Sequence, residues 1–252
     1  MARLTIPPVV KMPVEAQATD ALRDAIVNGT ITAGARITEI QLSQQLNLSR
    51  ATIRTALHQL AKEGLLNLVR YTGWTVLSLS PRDVWELYTL RSAIERLAAQ
   101  LVAGSINSAK SSRLNWALEG LIKECKRADP ARVAEADFAL HKTIIQMADH
   151  ARLASQYALI EQQIRMYIRS SDALISDIST IIDQHQPIVD SILAGDIEAS
   201  GHLSEQHNLT EGKKLSDHLT HVEARRETTK TSLAPTAKKP APAAKKGRRK
   251  SS

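Results

Sequence analysis

Residues 42–60 read LSQQLNLSRATIRTALHQL, and this stretch decides the fold of the N-terminal part of the chain. Apolar residues repeat at helical spacing on both sides of Asn47 and Ser49, which interrupt the pattern where a turn belongs. Ser49 suits the N-cap of the second helix, so Arg50 and Arg54 are predicted in or beside its first turn. Two helices joined in this way form a helix-turn-helix, whose second helix meets DNA base edges with its N-terminal residues.

The sequence on either side of this helix pair predicts a complete winged helix-turn-helix domain over residues 14–78. Small and apolar residues between positions 14 and 27 predict a first helix. After the pair, LLNLV and WTVLSL predict two strands that form a small β-wing around a Tyr71-Thr72-Gly73 turn. Residues 1–13 contain prolines and are expected to be a flexible N-terminus.

A second, all-helical domain is predicted over residues 79–225. Ser80 and Pro81 mark its start, because a hydroxyl at the N-cap and a proline at the first helical position favour a helix. Short polar, glycine or proline breaks divide the rest into six helical segments, which predicts an antiparallel six-helix bundle. The segments are 81–104, 108–127, 130–149, 152–171, 175–194 and 196–222. The predicted fold class is therefore mainly α, a winged helix-turn-helix followed by this bundle.

Composition excludes several classes of protein. Aromatic residues make up only 3% of the chain while leucine, alanine and isoleucine dominate, which favours packed helices over a β-sandwich. The single Cys125 excludes an intramolecular disulfide and a cysteine-based zinc site, in keeping with a reducing compartment. Neither a long apolar run nor a signal sequence is present, so we expect a cytoplasmic protein without a membrane partner.

The net charge of +7 is concentrated at the C-terminus. Residues 234–252 contain seven cations and no acid, so the rest of the chain is formally neutral. The segment 226–252 is rich in alanine, proline and lysine, and is expected to be a disordered basic tail. Such a tail is either a sequence-independent DNA-binding arm, whose affinity falls with salt, or a solubilising extension.

Four potential metal ligands are predicted to point into the bundle. Asp137 and His141 stand four residues apart on an apolar helix face, and His185 and His207 lie on the apolar faces of two other helices. One aspartate and three neutral imidazoles suit one divalent transition metal per subunit, such as zinc, nickel or manganese. The alternative is that these histidines are hydrogen-bonded core residues, with Asp137 and His141 forming an ordinary intrahelical hydrogen bond.

Arg91 and Glu95 are candidates for effector binding on the first helix of the bundle. A metal with open coordination positions could bind the carboxylate of a small effector, and Arg91 could serve as a second anchor. An ordinary intrahelical ion pair between these two residues explains their spacing equally well.

Two alternative functions are compatible with the same residues. A metal-dependent hydrolase or lyase could use the ligand set to activate water, although no second carboxylate is clearly placed as a general base. A sequence-indifferent nucleoid-associated protein could rely on the basic tail.

Over roughly residues 15–215, the chain resembles GntR-type regulators of the FadR subgroup, which carry an all-helical effector-binding domain called FCD. The stretches that carry the resemblance are LRDAIVNGTITAGARI (22–37), LSQQLNLSRATIRTALHQLAKEGLL (42–66), YTGWTV (71–76), SPRDVWELYTLRSAIERLAA (80–99), ADFALHKTI (136–144), DQHQPIVDSILAGDIEAS (183–200) and EQHNL (205–209).

This resemblance implies a homodimeric transcription regulator, expected to be a repressor, that binds an inverted-repeat operator in double-stranded DNA. It also implies control by a small organic-acid effector at a metal site. The metal ligands implied are Asp137, His141, His185 and His207. The implied DNA-binding residues are Ser49, Arg50, Thr52 and Arg54 in the recognition helix, with Arg70, Tyr71, Thr72 and Gly73 in the wing.

Overall fold

The computed structural model describes residues 12–175 and 177–232, with side chains described as far as residue 225. The N-terminal part of this structure combines three helices with a three-stranded antiparallel sheet of order β1-β3-β2. Its elements are α1 (Val14–Val27), β1 (Arg36–Ile37), α2 (Glu39–Leu46), α3 (Arg50–Lys62), β2 (Leu66–Val69) and β3 (Gly73–Val76).

Side-chain caps and a left-handed residue define the helix-turn-helix. Helix α2 begins after Thr38, whose hydroxyl accepts a hydrogen bond from the Gln41 amide, and it ends at Asn47 with φ +52°. Asparagine tolerates this conformation better than most residues, so the chain turns there within three residues. Helix α3 then buries Ile53 and Leu57 completely, which fixes the helix in the core and leaves its opposite face exposed.

The sheet contains one strand more than the sequence patterns indicate. β2 and β3 pair antiparallel with Leu68 opposite Trp74, which confirms the predicted wing. β1 has only two residues and was missed because so short a segment has no detectable alternation. It pairs Ile37 with Trp74, whose side chain is 3% exposed, and so ties the wing to the core.

Six helices follow within the described residues, and the predicted fold class is confirmed. A reciprocal pair of hydrogen bonds between Ser80 and Asp83 caps the first of them, as the Ser-Pro start predicts. The helices are α4 (Pro81–Ala103), α5 (Ser108–Arg127), α6 (Pro130–Met147), α7 (Ala151–Asp172), α8 (Ser179–Leu193) and α9 (Ile197–Ser232).

The length of α9 corrects the predicted start of the basic tail. The backbone stays helical through Ser232, seven residues into the segment 226–252 that was expected to be disordered. Residues 223–227 read EARRE, all strong helix formers, and the first proline after them is Pro235. The seven cations of residues 234–252 lie outside the described residues.

Helices α4 and α9 form the close-packed centre of the bundle. A Cβ atom at Gly201 or Gly212 would lie 2.6 Å from the side chain of Gln100 or Tyr88 respectively, so only glycine permits this approach. The close contact brings Glu95 of α4 within hydrogen-bonding distance of Asn208 on α9. In the described part of the chain, no helix is both long and apolar enough to cross a membrane.

Candidate functional site

The N-terminus of α3 presents the four predicted recognition residues on one exposed surface. Ser49 accepts a hydrogen bond from the Thr52 amide at 3.1 Å, and the two hydroxyl oxygens lie 3.0 Å apart. Arg50 and Arg54 are more than half exposed. Two flexible cationic side chains beside a capped helix start are well placed to contact guanine edges and phosphates in a major groove.

Glu39 on α2 lies beside the two arginines and is hydrogen-bonded to Arg54, and sequence reasoning missed it. Its carboxylate accepts two hydrogen bonds from Arg54, at 2.9 and 2.7 Å, and lies 3.8 Å from the guanidinium of Arg50. The hydrogen bond from Arg54 lowers the pKa of Glu39, so this carboxylate stays ionised. The available sequence signal was that Glu39 is a single acidic residue at the first position of α2. Only the geometry of the turn between the helices brings it next to α3.

Replacing Glu39 by glutamine tests this contact. Loss of the negative charge frees Arg54 to contact phosphates, so binding to random duplex should tighten and its salt dependence should steepen by about one unit of log K against log [salt]. Filter binding at several salt concentrations measures the slope. Glu15→Gln, which removes an acid from α1, serves as the matched control. An unchanged slope in Glu39→Gln would contradict the role assigned to Glu39.

The wing presents Tyr71 at its tip. Tyr71 has φ +65° and a fully exposed side chain, while the Thr72 amide and hydroxyl both donate to the Val69 carbonyl and close the turn. Gly73 begins β3 and does not form the tip. Its φ is +99°, and a Cβ atom added there would lie 3.1 Å from the Ile37 carbonyl oxygen. Both the backbone conformation and the limited space require glycine at this position. Arg70 is exposed beside this turn.

The three predicted histidine ligands converge inside the bundle. Nitrogen atoms of His141, His185 and His207 all lie within 4.8 Å of one another, and the first two residues are buried while His207 is half-buried. Asp137 lies between two of them, with one carboxylate oxygen 3.3 Å from His141 Nε2 and the other 3.3 Å from His185 Nε2. Helices α6, α8 and α9 therefore supply the four residues.

The outer nitrogen of each buried imidazole is occupied by an acceptor. His141 Nδ1 lies 2.9 Å from Glu95 Oε2, and His185 Nδ1 lies 2.7 Å from the Ile181 carbonyl oxygen. Both Nδ1 atoms therefore carry hydrogen, and both Nε2 atoms are directed inward. The two Nε2 atoms are only 3.0 Å apart. The centre thus brings two imidazole nitrogens and the Asp137 carboxylate together at one point.

A divalent metal ion fits this donor set. The Nε2 atoms of His141 and His185 lie 3.0 Å apart, which is close enough for both to bind one ion about 2.1 Å away. Asp137 adds a negative charge, and one of its oxygens has no hydrogen-bond partner among the described residues. Burial would raise the pKa of Asp137, but His185 and His141 hold it well below its usual value, so the ligand is ionised.

Arg91 and Glu95 are buried beside the centre. Arg91 Nε donates to Glu95 at 2.7 Å, so the predicted intrahelical pair exists, but Glu95 also accepts from His141 and Asn208. Glu95 thereby orients a candidate metal ligand, a role that its sequence spacing from Arg91 did not indicate. Arg91 keeps one terminal nitrogen, Nη2, without a partner in the described structure, so it stays a candidate for effector binding.

A cleft of about 210 Å³ lies between α8 and α9. Its walls include Ile188, Leu203 and Thr210, and also His207 of the histidine centre. Burial and the neighbouring imidazoles of His185 and His141 lower the pKa of His207 well below its usual value. The imidazole of His207 is therefore neutral and available to a metal ion.

Two family models match the chain. The model of the gntR family of bacterial regulatory proteins matches residues 15–76, and the FCD domain model matches residues 86–210. Together they span most of the sequence, including α3, the wing and the histidine centre. The chain belongs to the GntR family. GntR-family proteins are DNA-binding transcription regulators and not enzymes, so the hydrolase or lyase alternative is wrong.

Relatives and solved structures agree with this assignment. The chain is 28% identical over 201 residues to a probable D-xylose utilization operon transcriptional repressor from Paenarthrobacter nicotinovorans, covering 79% of this chain and 87% of the relative. It is 25% identical to the gluconate operon transcriptional repressor of Bacillus subtilis, covering 69% and 74%. The fold matches a GntR regulator from Rhodococcus sp. RHA1, with a TM-score of 0.68, 22% identity and coverage of 80% and 96%.

Proposed function

We propose that this GntR regulator is a homodimeric repressor that binds an inverted-repeat operator and responds to a small organic acid at its metal centre. Residues 14–78 form the DNA-binding domain and residues 79–225 the effector-binding and dimerisation domain, and the protein acts with its DNA in the cytoplasm. The observation that carries the proposal is the group of inward-facing histidine nitrogens beside the Asp137 carboxylate, because this donor set suits a divalent cation.

The centre would hold one zinc, nickel or manganese ion per subunit through Asp137, His141, His185 and His207. Three nitrogen donors and one oxygen donor suit these ions. When bound, the metal supplies positive charge that attracts a carboxylate. Arg91 Nη2 supplies a second, fixed cationic donor inside the bundle.

Repression is supported by the relatives whose names state a regulatory direction. Regulators named for D-xylose utilization and for gluconate are both described as operon repressors. We infer that this chain likewise occupies its operator in the absence of effector. Recognition would rest on Ser49, Arg50, Thr52 and Arg54 in one groove, with the Arg70–Gly73 wing against the neighbouring backbone.

An exposed apolar stripe on α4 supports a dimer. Leu90 and Leu97 are 48% and 42% exposed, while Ile94 and Leu101 on the same face are half-buried. The 4-3-4 spacing of these four residues matches the seam of a helix pair, and a second copy of the chain would bury it. A two-fold axis at this seam would present two recognition helices to an inverted repeat.

A charge within the stripe should separate the subunits. Leu97→Glu is expected to shift the mass measured by light scattering from twice the chain mass to the 27.7 kDa of one chain, because the buried carboxylate would lack a partner. Trp116→Glu is the matched control, since Trp116 is exposed on α5, away from the stripe. A dimeric Leu97→Glu variant would place the interface on another surface.

Helix α7 connects the metal centre to the DNA-binding domain. Near its middle, Gln163 donates to the Glu63 carbonyl at 3.4 Å and Arg165 lies 3.5 Å from Asp24. Towards its start, the Tyr157 hydroxyl lies 3.5 Å from the Glu95 carboxylate beside the metal ligands. A shift of α7 on effector binding would therefore move the domain that holds α3.

Gly64→Ala tests this connection. Gly64 has φ +71°, and its new Cβ would collide with the Gln163 amide, whereas Gly29 has φ +74° and open space around it. Both alanine variants should lose about 1–2 kcal/mol of stability from the left-handed backbone. Only Gly64→Ala should also reduce the change in operator affinity caused by the effector. Equal effector responses in the two variants would contradict a role for this contact.

The proposed function as a whole is tested on metal-loaded protein with an operator selected from a random duplex pool. The selected sites should be inverted repeats, and an organic acid that binds the protein should weaken the complex. Selection of asymmetric sites, or operator binding that no bound acid changes, would contradict the proposal.

A further inference from the structure

The end of the wing carries apolar side chains on both faces and at its tip. Leu68 and Val69 are 59% and 44% exposed, and the side chain of Tyr71 is fully exposed. Arg70 is the single charged residue between positions 66 and 76. Exposed apolar residues this close together mark a surface that contacts a partner. We call the exposed parts of Leu68, Val69 and Tyr71 the wing wedge.

Tyr71 occupies a backbone conformation that suits glycine or asparagine. The Val69 carbonyl accepts hydrogen bonds from the amide and the hydroxyl of Thr72, at 3.1 and 3.2 Å, so residues 69–72 form a closed turn. Tyr71 is the third residue of this turn and has φ +65°, which a tyrosine adopts only with strain. Because its side chain is fully exposed, packing within the chain does not offset that strain. Such a strained, exposed residue is typical of a functional contact.

The sheet register gives the wing wedge its shape. Leu68 and Val69 are consecutive residues of β2, so their side chains point to opposite faces of the β2-β3 hairpin. Leu68 pairs with Trp74, and cross-strand partners share a face. The Trp74 ring lies 4.9 Å from the ring of His58 on α3, measured between ring centres. The apolar surface therefore begins beside the recognition helix and ends at the tip of the wing.

The wing wedge is continuous with the DNA-binding surface. When the N-terminus of α3 lies in a major groove, a wing attached to the same core reaches the adjacent minor groove. A minor groove is about 6 Å wide and paired strands are about 4.8 Å apart before side chains are counted, so the hairpin enters only a widened groove. One arginine attracts phosphates weakly, whereas the apolar faces suit the deoxyribose walls and the tyrosine ring suits the face of a base.

We propose that Tyr71 inserts between two base pairs from the minor groove, and that Leu68 and Val69 fill the widened groove on either side of it. A side chain inserted in this way partly unstacks the base pairs and bends the duplex towards the major groove. Pyrimidine–purine steps such as TA and CA are the easiest to unstack. The wing thereby selects sequence through the flexibility of a base step, in addition to the base contacts of α3. The proposal deepens the proposed function, because it starts from the protein bound to its operator.

Operator selection with the full-length protein and its Tyr71→Asn variant tests the base preference. Asparagine tolerates the left-handed backbone, so the variant keeps the turn and loses the ring. Sites selected by the wild-type protein should contain a TA or CA step at a fixed distance from the α3 contact, and replacing this step by GC should weaken binding about tenfold. Tyr71→Asn should keep the preference at the α3 contact and lose the preference at the step. An equal effect of the step on both proteins would overturn the proposal.

Permanganate oxidation of the complex detects the insertion directly, because permanganate attacks thymines that are unstacked. With the wild-type protein, a thymine of the flexible step should become more reactive on binding, and Tyr71→Phe, which keeps the ring, should retain this gain. Tyr71→Asn should lose it, together with most of a bend of about 20° or more measured by circular permutation. No reactive thymine in the wild-type complex, or equal reactivity with Tyr71→Asn, would overturn the proposal and leave the proposed function intact. Failure of the wild-type protein to select any site would overturn both.

Two controls separate DNA from the other partner that an apolar wing could contact, a second copy of the chain. Trp116→Asn removes an exposed aromatic ring from α5, and it should keep both the step preference and the thymine reactivity. Light scattering of the DNA-free protein should give the same mass for Tyr71→Asn as for the wild type. A lower mass for Tyr71→Asn would place the wing wedge in a contact between subunits and overturn the proposal.

Discussion

The double variant His185→Ala and His207→Ala is expected to purify without stoichiometric metal. It removes ligands from α8 and α9, so only Asp137 and His141 of α6 remain, and two adjacent ligands hold a transition metal weakly. A ligand at about a thousand times its Kd stabilises the folded state by about 4 kcal/mol. Added zinc should therefore raise the free energy of unfolding of the wild-type protein by about 4 kcal/mol, and that of the variant hardly at all.

Elemental analysis and urea unfolding with and without zinc measure these two effects. His202→Ala is the matched control, because His202 lies on α9 near His207 but is exposed and outside the histidine group. It should retain both metal and the stabilisation by zinc. Stoichiometric metal in the double variant would show that the ligands are elsewhere in the chain.

Arg50→Ala is expected to remove most of the preference for operator over random duplex. A well-placed arginine that forks onto a guanine contributes about 1–3 kcal/mol of discrimination, and a dimer presents it twice. Arg50 is the better candidate for this role, because Glu39 holds Arg54 in two short hydrogen bonds but lies 3.8 Å from Arg50. Binding to random duplex should weaken far less than binding to operator.

Competition binding with the selected operator and a scrambled duplex measures this preference. Lys62→Ala removes a charge from the last turn of the same helix and is the matched control. It should leave the preference unchanged. Equal losses on both duplexes in Arg50→Ala would mean that this arginine contacts phosphates and reads no base.

Most of the fold was predictable because local signals agree with the tertiary structure. Ser49 and Ser80 both cap helices as their sequence context indicates, and the helical segments of the bundle lie close to their predicted positions. β1 and the end of α9 were not predictable from pattern, since a two-residue strand has no periodicity and a polar helix end resembles a polar tail.

The sequence predicted which residues form the candidate metal centre, but it did not predict the contacts between them. The four-residue spacing of Asp137 and His141 places them on one helix face, and the structure brings His185 and His207 to the same point. The hydrogen bonds between Glu39 and Arg54 and between Asn208 and Glu95 join residues 15 and 113 positions apart, which no local spacing indicates.

The helix-turn-helix, the wing, the bundle and the family of this protein follow from its sequence, because caps, turns and apolar periodicity act over a few residues. The inward direction of Nε2 in the two buried histidines, and the contact between Glu95 and His141, depend on the tertiary structure. Those properties arise from helices that meet across the core. There, the close approach of α4 and α9 and the exclusion of water determine which polar groups find partners.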